Sequence, residues 1–301
     1  MTVTTAVPDR TGVPDPGTIP AHALRRVIDT ALEEDAPWGD VTSEAFIPLA
    51  ATATATLAAR EPGVLSGGGV FVAVMHAVDP TIGAEVHVAD GTRFVAGDAL
   101  VTVSGPARSV LRAERVALNL VQRMSGVATL TAEYVAAVVG TSARIVDTRK
   151  TTPGLRAVER YAVRCGGGRN HRTSLSDAVM AKDNHLAVLL ADGIDIGDAV
   201  RAARQRLGHT VHLEVEVDRV DQIEPVVAAG VDTIMLDNFG PDELVEGIAV
   251  VDGRALVEAS GGVNLDTVAA IAATGVDVIS VGALTHSARA LDLGLDVAVS
   301  A

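Results

Sequence analysis

The sequence predicts an α/β protein in two parts, a small α+β unit followed by a barrel of parallel β/α units, and three observations carry that prediction. After Gly140, apolar runs of strand length recur at 145–146, 178–181, 211–217, 233–236, 255–257 and 276–281, with helical patterns between most of them. Strands alternating with helices make parallel β/α units, and six of them make either a barrel or a doubly wound sheet. The second observation separates those two. Nearly every run ends on polar residues or glycine: Asp147-Thr148-Arg149-Lys150, Lys182-Asp183, Asp237-Asn238, Glu258 to Gly262, and Gly282. A barrel gathers its chemistry at that rim. An open sheet concentrates it at one switch point behind a glycine-rich first turn, where this chain has Arg149-Lys150. The third observation is the short alternation at 51–57 and 84–88, punctuated by Gly67 to Gly69, Asp90-Gly91 and Gly97-Asp98, which marks strands and turns of a separate unit.

Taken in order, residues 1–20 are rich in Thr, Pro, Gly and Asp and read as a frayed leader without the basic-then-apolar pattern of a signal peptide. Leu24, Val27, Ile28, Ala31 and Leu32 then fall on one face of a helix that Pro37 and Gly39 close. Residues 51–104 carry the short strands. From Arg108 to Val139 the spacing is helical, and Ser125-Gly126 divides it into two helices. The first unit is therefore expected over 21–139 and the barrel over 140–286, with about 287–301 packing back on the first unit.

Composition narrows the function. The chain has 301 residues, of which 48% are hydrophobic and only 2% aromatic, so its cores are aliphatic and stacking platforms for single-stranded nucleic acid are excluded. A formal charge of -14 repels phosphate backbones, which argues against a nucleic-acid partner. The single Cys165 excludes an internal disulfide or a multi-cysteine metal site, and no apolar run is long enough for a membrane span. A cytoplasmic protein is expected.

Against that acidic background, residues 144–182 hold nine basic residues and three acidic ones. Such a local excess suits a small anion, because guanidinium groups grip carboxylate and phosphate oxygens in pairs. Arg156, Arg160 and Arg164 are four apart and read better as a solvated helix face. Arg149, Lys150, Arg172 and Lys182 lie at strand ends or beside the glycine-rich run Cys165 to Arg172, close to the barrel mouth. That run is either a phosphate cradle delivering His171 and Arg172 or a plain connector. Glu214 and Glu216 share one face of their strand, and if it looks inward they need cations such as Lys182 or Mg²⁺, with Asp237 on the next strand able to share the task. Ser260-Gly261-Gly262 and Val281-Gly282-Ala283 place small residues between strand and helix, where free N–H groups attract phosphate.

These motifs together resemble the type II phosphoribosyltransferases, specifically the quinolinate phosphoribosyltransferase family. The resemblance covers nearly the whole chain after residue 20. It runs through Gly39-Asp40-Val41-Thr42, Glu114 to Asn119, Ser125-Gly126, Asp147 to Thr151, Cys165 to Arg172, Lys182 to His185, Glu214 to Val217, Met235 to Phe239, Ser260 to Gly262 and Val281 to His286. It departs at Thr173-Ser174 and Met180-Ala181, which alter loop stiffness rather than charge.

The resemblance implies an N-terminal α/β sandwich domain and an incomplete, six-stranded α/β barrel, paired as a homodimer with shared active sites. It implies a quinolinate site of Thr148, Arg149, His171, Arg172 and Lys182, with Arg115 from the partner. It implies a phosphoribosyl pyrophosphate site of Lys150, Glu216, Asp237, Ser260, Gly261, Gly262, Val281, Gly282, Ala283 and His286. Lys150, Lys182, Glu216 and Asp237 are the expected catalytic groups, and Glu216 and Asp237 the expected Mg²⁺ ligands. The implied reaction moves the phosphoribosyl group to quinolinate with loss of carbon dioxide and pyrophosphate. The rivals are a paralogue with another acceptor, a Schiff-base aldolase using Lys182, and a binding protein without turnover.

Overall fold

A computed structural model describes residues 16–191 and 193–300. Most of the expected leader lies outside them. The chain divides into two compact units. The first takes in residues up to 132, 151–167 and from 284 on; the second takes in 133–150 and 168–283.

The first unit opens with α1 (Ala21–Asp35), which buries Val27 and Ile28 from its apolar face. Asp40 caps α2 (Val41–Phe46): its Oδ1 accepts the N–H groups of Thr42 and Ser43 at 3.0 and 3.1 Å. Such a cap contributes about 1 kcal/mol, and those bonds, led by the one from the Ser43 hydroxyl, hold the Asp40 carboxyl below its ordinary range. Strands β1 (Thr52–Ala59), β3 (Gly83–Val86) and β5 (Ala99–Pro106) form an antiparallel sheet with β12 (Leu293–Ser300), in the order β12-β1-β5-β3. In β1, Ala53, Ala55 and Leu57 face inward while Thr52 and Thr54 face out, as the alternation predicts. The short pair β2 (Gly63–Val64) and β4 (Arg93–Phe94) lies beside α3 (Gly68–Val78) in sequence. Phe71, Leu57, Leu65, Met75, Leu100 and Met124 are fully buried and Phe94 nearly so, so the core is mostly aliphatic.

Two expectations are corrected here. The helix expected to break at Ser125-Gly126 is one continuous α4 (Ala107–Ala137) of 31 residues, about 46 Å long at 1.5 Å per residue. Gly126 does not end it. A Cβ there would lie 1.8 Å from the carbonyl oxygen of Arg289, so glycine is required by the close approach of a distant segment. The boundary at 139/140 is also too simple, because α5 (Arg156–Cys165) belongs to the first unit. Buried Glu159 accepts from Arg123 of α4 at 3.0 and 2.8 Å, the Tyr161 hydroxyl donates to Asp90 at 2.8 Å, and Cys165 packs on Val64, Ala128 and Ala132. Hence the three arginines of α5 are not a solvated face. Arg160 is buried, Arg156 donates to Thr151, and Arg164 lies over the Tyr161 ring and donates to the Pro16 carbonyl.

The second unit is a six-stranded parallel sheet in the order β6-β11-β10-β9-β8-β7. Its strands are β6 (Arg144–Val146), β7 (Val179–Ala181), β8 (Leu213–Val217), β9 (Thr233–Asp237), β10 (Leu256–Ser260) and β11 (Val278–Ser280). Between and after them come α6 (Asp183–Ala191), α7 (Ile196–Arg206), α8 (Ile223–Ala228), α9 (Pro241–Val251), α10 (Val268–Ala273) and α11 (Ala283–His286). The strands β8 and β9 are buried on both faces, as parallel strands between helices and a barrel interior must be. Among the described residues β6 and β7 do not pair with each other, so the barrel is incomplete.

Candidate active site

At the carboxyl ends of these strands lies a cavity of about 400 Å³. Each strand sends its chemistry there. Thr148, Arg149 and Lys150 follow β6, Lys182 follows β7, and Glu216 ends β8; Asp237 and Ser260 close β9 and β10. His171 and Arg172 come from the glycine-rich run. Of the residues expected in the site, these nine line one cavity. Parallel pairing sets the spacing: Glu216 stands opposite Met235, and Ser260 opposite Asp237.

Two glycines of the run have structural roles. A Cβ on Gly166 would lie 2.4 Å from the Ala128 carbonyl, and Gly167 has a φ of +86°, so these glycines serve packing and a left-handed turn. The chain after them bridges onto β6 through Val146 and Arg169. Fully buried Asp147 then fixes the next two residues, accepting from the Asn170 side chain and from the His171 N–H, both at 2.7 Å.

His171 points its Nε2 between two buried carboxylates, Glu214 at 3.2 Å and Glu258 at 3.3 Å. Burial alone pushes the imidazole down, but the hydrogen bonds and charges of Glu214 and Glu258 outweigh it and lift the ring up to about 10. The Arg172 N–H, 2.7 Å from Nδ1, opposes a second ring proton. In that geometry Nδ1 is an acceptor, so a charged ring requires the Arg172 amide to turn away, and what favours the charge is the pair of buried carboxylates at Nε2. Glu214 is itself pushed up, by burial first, with His171 pulling down and Glu258 pushing up again. Among the described residues this is the one group of three with ligating atoms close enough for a metal, within 4.8 Å of one another.

Two further charge contacts shape the mouth. Lys182 Nζ is paired with Glu216 Oε2. Arg172 donates to the Ala178 carbonyl at 3.1 Å, and burial, then the neighbouring Arg149, hold it below the ordinary arginine value. Two guanidinium groups that repel each other gain from an anion between them. Beside Asp237, Asn238 has a φ of +63° and donates to the Asp237 carboxylate at 2.7 Å, a constrained strand end that fixes the acid.

Not every expected residue lines the cavity. Gly261, Gly262, Val281, Gly282 and Ala283 are outside its lining. Gly261 and Gly262 both have structural reasons to be glycine: a Cβ on Gly261 would meet Asn238 Oδ1 at 2.2 Å, and Gly262, though open to space, has a φ of +61°. Arg115, exposed on α4, and exposed His286 belong to the first unit. Conversely, Met180, Met235, Glu258 and Ser280 line the cavity unforeseen. The alternation that puts Glu214 and Glu216 on one face also puts Glu258 and Ser260 on one face, and that is the signal that points to Glu258.

Comparison with known proteins agrees with this geometry. The family model described as quinolinate phosphoribosyl transferase, N-terminal domain, matches residues 40–125, and its C-terminal domain counterpart matches 127–296. Over 281 residues the chain is 46% identical to a nicotinate-nucleotide pyrophosphorylase [carboxylating] of Mycobacterium leprae, covering 91% of this chain and 97% of that one. A probable enzyme of the same name from Bacillus subtilis is 39% identical over 92% of this chain and 94% of its own. Among solved structures, NadC from Streptococcus pyogenes superposes with a TM-score of 0.89 at 38% identity, covering 94% of this chain and 99% of that one. With the two family models together matching residues 40–125 and 127–296, the chain belongs to the quinolinate phosphoribosyltransferase family.

Proposed function

We propose that the chain transfers the phosphoribosyl group of phosphoribosyl pyrophosphate to quinolinate with decarboxylation, giving nicotinate mononucleotide, pyrophosphate and carbon dioxide in de novo NAD biosynthesis. The observation that carries this is one cavity holding Arg149, Lys150, His171, Arg172 and Lys182 together with Glu216 and Asp237. Arginines, an imidazolium and a lysine suit a dicarboxylate, and the two acids suit a ribose whose C1′ becomes cationic.

In this reading Arg149, His171, Arg172 and Lys182, with Thr148, seat the two carboxylates and aim the pyridine nitrogen at C1′. The nitrogen attacks as pyrophosphate leaves, Glu216 or Asp237 stabilises the oxocarbenium-like ribose, and Lys150 faces the departing anion. No side-chain nucleophile is needed. The ring is now cationic, so the carboxylate beside its nitrogen departs as carbon dioxide and the carbanion left behind takes up a proton. Glu216 and Asp237 are hard oxygen donors on adjacent strands and fit Mg²⁺, which when bound neutralises pyrophosphate charge. Ser260 and the Gly261, Gly262, Val281, Gly282 and Ala283 segments serve the phosphates.

We also place Arg115 in the site of a second copy. The exposed Trp38, Val41, Phe46 and Leu49 offer an apolar face, and Trp38 is 94% exposed, which is costly unless something covers it. A homodimer in the cytoplasm follows from this reading; among the described residues no helix is long and apolar enough to cross a membrane. The test is to supply Mg²⁺, phosphoribosyl pyrophosphate and either quinolinate or nicotinate. Carbon dioxide equal to mononucleotide, with quinolinate alone, is expected; turnover with nicotinate only, or none, refutes the assignment.

A further inference from the structure

We infer that Glu258 is a positioning residue for His171, fixing the ring and its positive charge in the dicarboxylate part of the site. This rests on the reading that His171 faces quinolinate. Glu258, on β10, lines the cavity and approaches His171 Nε2 to 3.3 Å, beside Glu214 of β8, which approaches the same nitrogen to 3.2 Å. Both acids are nearly fully buried, and one oxygen of each, Glu214 Oε1 and Glu258 Oε1, has no hydrogen-bond partner. Buried carboxylates in that condition require a cation, and His171 lies between them.

The groups around the ring favour its charge unevenly. Asp147 holds the His171 backbone N–H, and the Arg172 N–H donates to Nδ1 at 2.7 Å. Removing the charge of Glu258 leaves Glu214 alone to offset the burial of the ring. The imidazolium then loses its proton at a lower pH, and the clamp loses one of its cations. The sign is fixed: a ring whose proton affinity is raised carries its charge below the raised value and loses it above.

The experiment is the pH profile of kcat/KM for quinolinate and for phosphoribosyl pyrophosphate in wild type, Glu258→Gln and Glu258→Asp. Glutamine keeps an acceptor for Nε2–H and removes only the charge. For wild type the quinolinate profile should stay flat to about pH 9; for Glu258→Gln it should fall above about pH 7.5, nearer the ordinary histidine value of about 6.5. At about pH 8.5 the variant should show a quinolinate KM raised roughly tenfold, the value of one lost charged contact, with a much smaller change for phosphoribosyl pyrophosphate. Glu258→Asp should recover most of it. Equal effects on both substrates, or an unshifted profile, overturn the inference. Should Glu258→Gln fail to fold, calorimetric binding of quinolinate to wild type decides: affinity steady from about pH 7 to about pH 9 supports a cationic ring, and a tenfold loss over that range refutes it. If wild type releases no carbon dioxide from quinolinate, the functional reading itself has failed, which is a separate outcome.

Discussion

Replacing Glu159 by leucine should destabilise the first unit by about 3 kcal/mol, a value that comes from counting the groups the carboxylate holds. Glu159 is fully buried and accepts Arg123 Nε and Nη2 at 3.0 and 2.8 Å, the Thr152 hydroxyl at 2.7 Å and the Thr152 N–H at 3.0 Å. Breaking a buried ion pair from one side costs about 3–5 kcal/mol because the other charge remains. Arg123 keeps acceptors at the Thr285 and Ala288 carbonyls, which sets the cost at the low end. At about 2–4 °C per kcal/mol, the melting transition should drop by roughly 6–12 °C. Urea denaturation followed by circular dichroism measures it. The double replacement Arg123→Met with Glu159→Leu should regain more than half of the loss, since both charges are then gone. A loss below about 1 kcal/mol, or a double variant no better than the single, refutes the reasoning.

Gly126→Ala should be among the most damaging single substitutions outside the cavity, costing about 3 kcal/mol or preventing soluble expression, because its methyl group collides with backbone at Arg289; a melting point within 2 °C of wild type, roughly 1 kcal/mol, refutes it. Glu61 is held down to about 2, first by its hydrogen bonds from Arg289 and then by the Asp292 N–H. Its depressed value means its stabilisation is present above the ordinary glutamate range and is lost as pH falls from about 4.5 toward 2. Glu61→Gln should therefore remove part of that acid dependence, roughly 1 kcal/mol after allowing for solvent screening; an identical acid limb in the variant counts against it. Arg172→Lys keeps the charge but loses the planar fork, so kcat/KM for quinolinate should fall about a hundredfold, and a fall under threefold shows that the fork does not grip a carboxylate.

Much of the architecture is legible in the sequence where the signal is local. Strand positions in the second unit come from apolar runs and the polar residues behind them mark the rim, and with the family resemblance added nine of the cavity residues can be named. The features that escape depend on distant partners. Gly126 resembles a helix break until Arg289, far along the chain, comes against it. The arginines of α5 look solvated until Tyr161 and Glu159 draw that helix onto the first unit. Asp147 counts in the sequence only as one acid among many bases, and its work in holding Asn170 and His171 depends on the Val146–Arg169 bridge. Glu258 escapes for a different reason: its strand carries one carboxylate where β8 carries two, so it does not stand out although the same alternation applies.

The pairing of β12 with β1 has a consequence for synthesis. Residues 293–300 supply one edge of a sheet whose neighbouring strand is 52–59, separated by the whole barrel. During translation β1 can pair with β5 early, but the backbone groups on its β12 side stay unpaired at the sheet border while some 230 further residues emerge, a long wait for a contact between such distant segments. Border strands in that state invite pairing with other chains. Chains cut short before residue 293 should aggregate even though every residue lining the cavity is already present, and a chaperone that shelters β1 would matter most in the last moments before release.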